Sequence, residues 1–161
     1  MRIENGVLVW ATYEDVINGK FTVPEGVKRI GDDAFVYCSS LTHIDLPDSL
    51  ERIGNKAFYR CNSLTHIDIP KGVRSIGEFA FAYCYSLTSV KLPEGLESIG
   101  QFAFSDCFSL TQIDLPDSLD YIGNGAFAYC KSLAEIVLPA GVKLGKYVFH
   151  GCESLSMEKT K

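Results

Sequence analysis

The sequence predicts an α/β repeat solenoid of stacked parallel strands and short helical turns. Three observations carry that expectation. Proline recurs at Pro24, Pro47, Pro70, Pro93, Pro116 and Pro139, every step being 23 residues. Cysteine keeps the same step at Cys38, Cys61, Cys84, Cys107 and Cys130, and Cys152 arrives one residue early. Before each proline, apolar and polar residues alternate as in a half-buried strand. A fixed period of this length marks a stack of like units, none of which can bury its own apolar face.

One unit can be read in order as S-L-T-x-I-x-L-P-x-x-L-x-x-I-G-x-x-A-F-x-x-C-x. In "LTHIDLP", Leu41, Ile44 and Leu46 point inward around an outward Asp45, which is the pattern of a strand. Pro47 stops the strand and, with its fixed φ, suits the second position of a tight turn that Ser49 closes. "SLERIG" offers a second extended segment with Leu50 and Ile53 inward, and Gly54 lets the backbone change direction. "NKAFYRC" reads as one or two helical turns with Ala57, Phe58 and Cys61 on one face. Stacking then puts like residues in rows, with rungs about 4.8 Å apart where parallel strands pair. Phenylalanine follows the same rhythm at Phe35, Phe58, Phe81, Phe104, Phe127 and Phe149. The single missing residue falls between Val142 and Leu144.

The motif L-x-x-I-x-L-P followed by I-G-x-x-A-F-x-x-C resembles the BspA-like leucine-rich repeat, over roughly Asn5 to Met157. The resemblance implies a curved, right-handed leucine-rich-repeat superhelix, with parallel strands on its concave face and short helical turns on its convex face, that binds other macromolecules, often at a bacterial or protozoan surface. It also implies that the opening "IENGVLVWATYEDVINGKFTVPEGV" forms an N-terminal β-hairpin cap, for which Asn5-Gly6 and Asn18-Gly19 are suitable turn dipeptides. The expected organisation is one domain over 1–161. Residues 1–23 are the cap and first strand, 24–153 the repeats and 154–161 the C-terminal end. In that end Leu155 opens a seventh strand, and Glu158 stands where Ile44, Ile67, Val90, Ile113 and Ile136 stand before it. A charge there ends the stack, and Lys159 and Lys161 discourage another chain from adding to the edge.

Composition narrows the function. The chain has 161 residues, 47% of them apolar, enough for a core. A net charge of −5 argues against a dedicated binder of nucleic acid or anionic membrane. No stretch approaches the length of a membrane span, and the acidic residues of the opening do not suit a signal peptide. The expectation is a soluble monomer without membrane insertion, its compartment open: unmodified thiols allow the cytoplasm, and the family resemblance points to the cell surface.

Six cysteines invite a disulfide or metal reading. A row of parallel Cβ atoms at the rung spacing exceeds the roughly 3.8 Å that a disulfide prefers, and a constant interval gives a column where a metal needs converging ligands. Buried thiols acting as small apolar fillers are expected. His43 and His66, beside Asp45 and Asp68 on adjacent rungs, have the residue types of a zinc site. Duplication of a repeat copies a solvated histidine equally well, so no metal and no cofactor is expected. P-loop, zincin, nucleophile-elbow and dinucleotide motifs are absent, and the chain is read as a non-enzyme.

With the constant residues committed to the interior, function falls to the variable ones. On the strand face these are His43, Asp45, His66, Asp68, Ser89, Lys91, Gln112, Asp114 and Glu135, a polar and mildly acidic surface suited to a protein or glycan partner. A second candidate is an aromatic patch on the convex side formed by Phe79, Tyr85, Phe102 and Phe108. The alternative is an architectural segment of a larger surface or adhesin array.

Overall fold

The computed structural model describes residues 1–156 and the backbone of 158–160. Its strands, in chain order, are β1 (Arg2–Glu4), β2 (Val7–Trp10), β3 (Lys20–Thr22), β4 (Arg29–Ile30), β5 (His43–Asp45), β6 (Arg52–Ile53) and β7 (His66–Asp68). They continue with β8 (Ser75–Ile76), β9 (Ser89–Lys91), β10 (Ser98–Ile99), β11 (Tyr121–Ile122), β12 (Ile136–Leu138), β13 (Lys143–Leu144) and β14 (Glu158–Thr160). Successive coils stack as a β-solenoid of about six turns of parallel strands.

Two ladders run along the stack, and they differ. The Ile-Gly segments form one unbroken sheet in the order β1-β2-β4-β6-β8-β10-β11-β13. The segments before each proline, which the sequence marks as the main strands, pair only in twos: β3 with β5, β7 with β9, and β12 with β14. Gln112 and Glu135 add a single bridge. The cap forms as the resemblance implies. Asn5 and Gly6 both have positive φ, 49° and 76°, which is the geometry of a two-residue hairpin turn. Strand β2 then pairs in parallel with β4, Leu8 opposite Ile30, so the hairpin supplies the first rung.

Like residues form columns in the core. Phe35, Phe58, Phe81, Phe104 and Phe127 are fully buried. Neighbouring rings lie nearly parallel, with centroids 5.1, 5.0, 5.2 and 5.5 Å apart from Phe35 through to Phe127. The thiols behind them donate across coils. Sγ of Cys61, Cys84, Cys107 and Cys130 reaches the carbonyl oxygen of Phe35, Phe58, Phe81 and Phe104 at 3.1 to 3.3 Å. The column therefore satisfies a polar group as well as filling space. Burial pushes the Cys84 thiol up to about 12 and those of Cys61 and Cys107 well above the ordinary range.

The structure corrects three local expectations. The convex segment is no helix. Lys56 and Arg60 take φ of 52° and 60°, which no α-helix tolerates. The segment is instead a run of tight turns in which alternate N–H groups point in different directions. Those of Ala57, Tyr59 and Cys61 bond three residues back within the coil, whereas those of Lys56, Phe58 and Arg60 donate to Glu78, Ala80 and Ala82 of the next coil. The same alternation repeats through Phe127 and Tyr129, so the turns are a second unbroken ladder. Among the described residues the one helical piece is a 3₁₀ turn at Tyr13–Asp15.

Pro47 opens its turn and does not occupy the second position. Its carbonyl accepts the Leu50 N–H at 3.0 Å, and Pro70, Pro93 and Pro116 do the same for Val73, Leu96 and Leu119. Gly54, thirdly, is needed for closeness. A Cβ there would lie 2.8 Å from the Asp32 nitrogen, and one on Gly77 would lie 2.6 Å from the Asn55 nitrogen. Each glycine of this column backs directly onto the main chain of the coil before it.

At the far end the one-residue deletion falls where the sequence puts it, since Leu144 pairs with Ile122 in β11. Strand β14 still forms, with Glu158 in register with Ile136, so the charge does not prevent the rung. Lys161 and the side chain of Lys159 lie outside the described residues.

Candidate functional site

The strand face carries its variable residues in the expected columns, and the register adds two that the sequence reading missed. Lys20 and Thr22 pair with His43 and Asp45. Their signal was Pro24, which is in phase with the other prolines, so "KFTVP" is a full strand following the cap. At this end His43 Nε2 lies 3.0 Å from Asp45 Oδ1, and Thr22 Oγ1 donates to Asp45 Oδ2 at 3.3 Å.

One coil further, His66 Nε2 lies 2.8 Å from Asp68 Oδ1, and its Nδ1 lies 2.6 Å from Ser89 Oγ. Strand pairing puts Lys91 beside Asp68. Each imidazole is thus held by the carboxylate of its own strand, two residues on, where alternation returns the side chain to the same face. Among the described residues no group of three or more histidine, cysteine or carboxylate side chains converges as a metal site would require.

Gln112, Asp114 and Glu135 form a separate group. No strand ladder joins β9 to residues 112–114 among the described residues. An open groove of about 710 Å³ lies there, with Leu92, Leu115 and Val137 among its apolar lining and Glu94, Asp114 and Glu135 among its carboxylates. Ile113, Leu115 and Ile136 belong to the buried core beneath it. The nine strand-face candidates therefore fall into three neighbourhoods along the axis.

The aromatic candidates divide into two stacked pairs. Phe79 and Phe102 lie 5.1 Å apart, and Tyr85 and Phe108 lie 5.0 Å apart. Phe79 and Phe102 sit at positive-φ positions, 55° and 52°. The Phe102 ring covers Gly125, where a Cβ would come within 2.2 Å of it. This pair is consequently a lid over turn backbone.

The second pair belongs to a longer strip. Tyr37, Tyr59, Tyr83 and Tyr85 continue it ring to ring, with centroids 5.8, 5.4 and 6.2 Å apart. The Arg60 guanidinium carbon is 5.8, 5.7 and 4.9 Å from the rings of Tyr37, Tyr59 and Tyr83. At the other end Lys131 Nζ lies 5.6 Å from the Phe108 ring. Hydrogen bonding to Tyr59 holds Arg60 above its ordinary range. Sequence reasoning missed Tyr59 because it lies one column over from Tyr37 and Tyr83, and only the stacking brings the columns together.

The arrangement offers columns of exposed side chains on a repeated frame, and such a frame defines a class: the stacked-coil solenoid whose interior repeats like apolar residues from coil to coil. Six copies of the BspA type Leucine rich repeat region match the chain, over residues 12–84 and 52–160. The chain belongs to the BspA-type leucine-rich repeat family. No curated protein matches it.

Among solved structures it is similar to a leucine-rich repeat protein of T. pallidum, TpLRR, with 40% identity and a TM-score of 0.84 over 87% of this chain and 68% of that one. It is similar too to a leucine-rich cell surface protein of Faecalibacterium prausnitzii, 30% identical, with a TM-score of 0.66 over 88% of this chain and 47% of the other. A leucine-rich repeat protein of Eubacterium ventriosum is 28% identical, with a TM-score of 0.63 over 84% and 43%. The chain thus spans about two thirds of the first of these proteins and about half of the second. Folds of this family are typical of protein-interaction or surface-repeat proteins and serve in general as non-enzymatic scaffolds. Among the described residues no helix is long and apolar enough to cross a membrane.

Proposed function

We propose that this protein is a non-enzymatic recognition scaffold that binds a protein or glycan partner through its surface, in the manner of an adhesion or protein-interaction module. In this reading 1–161 act as one right-handed domain. The strand face, on the concave side, carries the partner through His43, Asp45, His66, Asp68, Ser89, Lys91, Gln112, Asp114 and Glu135. The observation that supports it is a split along the stack: Phe, Cys, Ile and Leu repeat and are buried in the central coils, while the outward strand positions, His-Asp in the first two coils, differ in the later ones and are exposed or half-buried. A frame with bonds crossing every coil boundary loses little entropy on docking.

The cell-surface name of the faecalibacterial relative favours an extracellular partner. The test is capture from native lysate and surface fractions by the wild type and by an Asp68→Ala, Lys91→Ala, Gln112→Ala triple variant. Loss of the captured species in the variant is expected.

A second reading is an architectural segment of a longer array. Its support is that the chain spans only part of its solved relatives. Unchanged capture by the triple variant, together with unchanged capture by a Tyr85→Ala, Phe108→Ala variant of the aromatic strip, would favour it.

A further inference from the structure

We infer that the groove beside residues 112–114 is the docking site for an extended, basic segment of a partner protein, in which cationic side chains alternate with small apolar ones. The inference rests on the reading of the strand face as a binding surface and assigns that surface a location and a chemistry. Three observations carry it. First, the strand ladder is interrupted between β5 and β7 and again between β9 and 112–114 among the described residues, and the groove lies at the second interruption. Its volume of about 710 Å³ is in the range of ligand-sized clefts.

Second, the coil that contains β12 departs from the repeat there. The outward column reads Asp45, Asp68, Lys91, Asp114 and then Val137, which is 38% exposed and lines the groove. Ala134 replaces the threonine of the column beside it, where Thr42, Thr65, Thr88 and Thr111 stand in earlier coils. A copied unit that exchanges a charge for an exposed valine next to a cleft gives up solvation, and contact with an apolar group restores the balance.

Third, the charge is one-sided. Glu94, Asp114 and Glu135 lie around the apolar Leu92, Leu115 and Val137, and among the described residues no lysine, arginine or histidine lines the groove. Lining of this kind favours a cationic segment through charge complementarity, in keeping with the net charge of −5. Among the described residues the lining also lacks aromatic rings, the amphipathic platforms that sugar rings would stack on, whereas the turn runs have them in abundance. The strand face therefore favours a peptide.

The probes are two fluorescein-labelled hexapeptides, Val-Lys repeated three times and Val-Glu repeated three times, titrated by fluorescence polarisation against the full chain at low salt. Saturable binding of the lysine peptide, at least tenfold tighter than the glutamate peptide, is expected. It should weaken at least fivefold in an Asp114→Asn, Glu135→Gln variant and in Val137→Thr, all surface changes that preserve volume. An Asp48→Asn control, away from the groove, should bind as the wild type does.

Equal affinity for both peptides, no saturable binding, or indifference to the groove substitutions would overturn the assignment. Binding of a neutral oligosaccharide that the same substitutions abolish would replace the peptide by a glycan. Self-association that Val137→Thr abolishes would replace it by a second copy of the chain. Partner capture that depends on Asp68 and Lys91 yet ignores Asp114, Glu135 and Val137 would refute the groove and leave the binding reading intact.

Discussion

The two sides of each coil are built from the same repeat and have opposite characters. On one side the Ile-Gly strands and the tight-turn run form ladders that cross every boundary from the cap to the last coil. On the other, the strands before the prolines pair in twos and leave a groove. The difference teaches where a repeat protein keeps its constancy. Glycines that touch the previous coil, phenylalanines that stack and thiols that donate across coils each admit one residue type. The interrupted face is constrained only at its inward positions, and there the outward residues are free to vary.

That contrast can be broken most forcefully at its rigid side. Phe81 is fully buried between Phe58 and Phe104, and Phe81→Ala should cost about 3–5 kcal/mol, read from denaturant midpoints. A loss the size of a surface change would show that the rings do not carry the stack. Gly77→Ala adds one methyl 2.6 Å from the backbone of the coil before it and should cost about 3 kcal/mol, the upper part of the overpacking range. A neutral result would mean that the coils are less tightly apposed than this column requires.

Alkali sharpens the same comparison. Burial raises the Cys84 thiol from 9.0 to about 12, so its neutral form is favoured in the fold. Its stabilisation is complete below pH 9 and is lost as pH rises from 9 towards 12, at about 1.4 kcal/mol per pH unit for this one thiol. Melting temperature followed over that window should fall less steeply in Cys84→Ala than in the wild type. Parallel slopes would deny the thiol a buried place. The smallest effect belongs to the variable face: His66→Ala and Asp68→Ala, at an exposed side-chain pair, should each change stability by less than about 0.5 kcal/mol.

Much of this was legible before any coordinates. Proline and cysteine spacing set the phase, and the phase alone puts Phe35 through Phe127 and the five buried cysteines in rows. The convex turns were not legible, because Ala57, Phe58 and Cys61 fit a helical face equally well, and nothing in Lys56 or Arg60 announces a left-handed residue. Nor was the role of Gly54, since the distance between coils is a property of the stack. The candidate columns were readable residue by residue from the alternation. Their separation into a histidine end, a middle and a groove was not, for it depends on which strand pairs form, and the shared L-T-x-x-x-x-P frame of β7, β9 and 112–114 does not say. The Tyr59 and Arg60 contacts were hidden for a related reason: they join columns that lie apart in the repeat.

Amide hydrogen exchange tests the contrast most directly. The account predicts slow, concerted exchange for the N–H groups of Phe58, Phe81, Phe104 and Gly100, which bond into neighbouring coils, and fast exchange for that of Asp114 beside the groove. Equal protection on the two sides of the coils, or early opening of the phenylalanine amides, would contradict it.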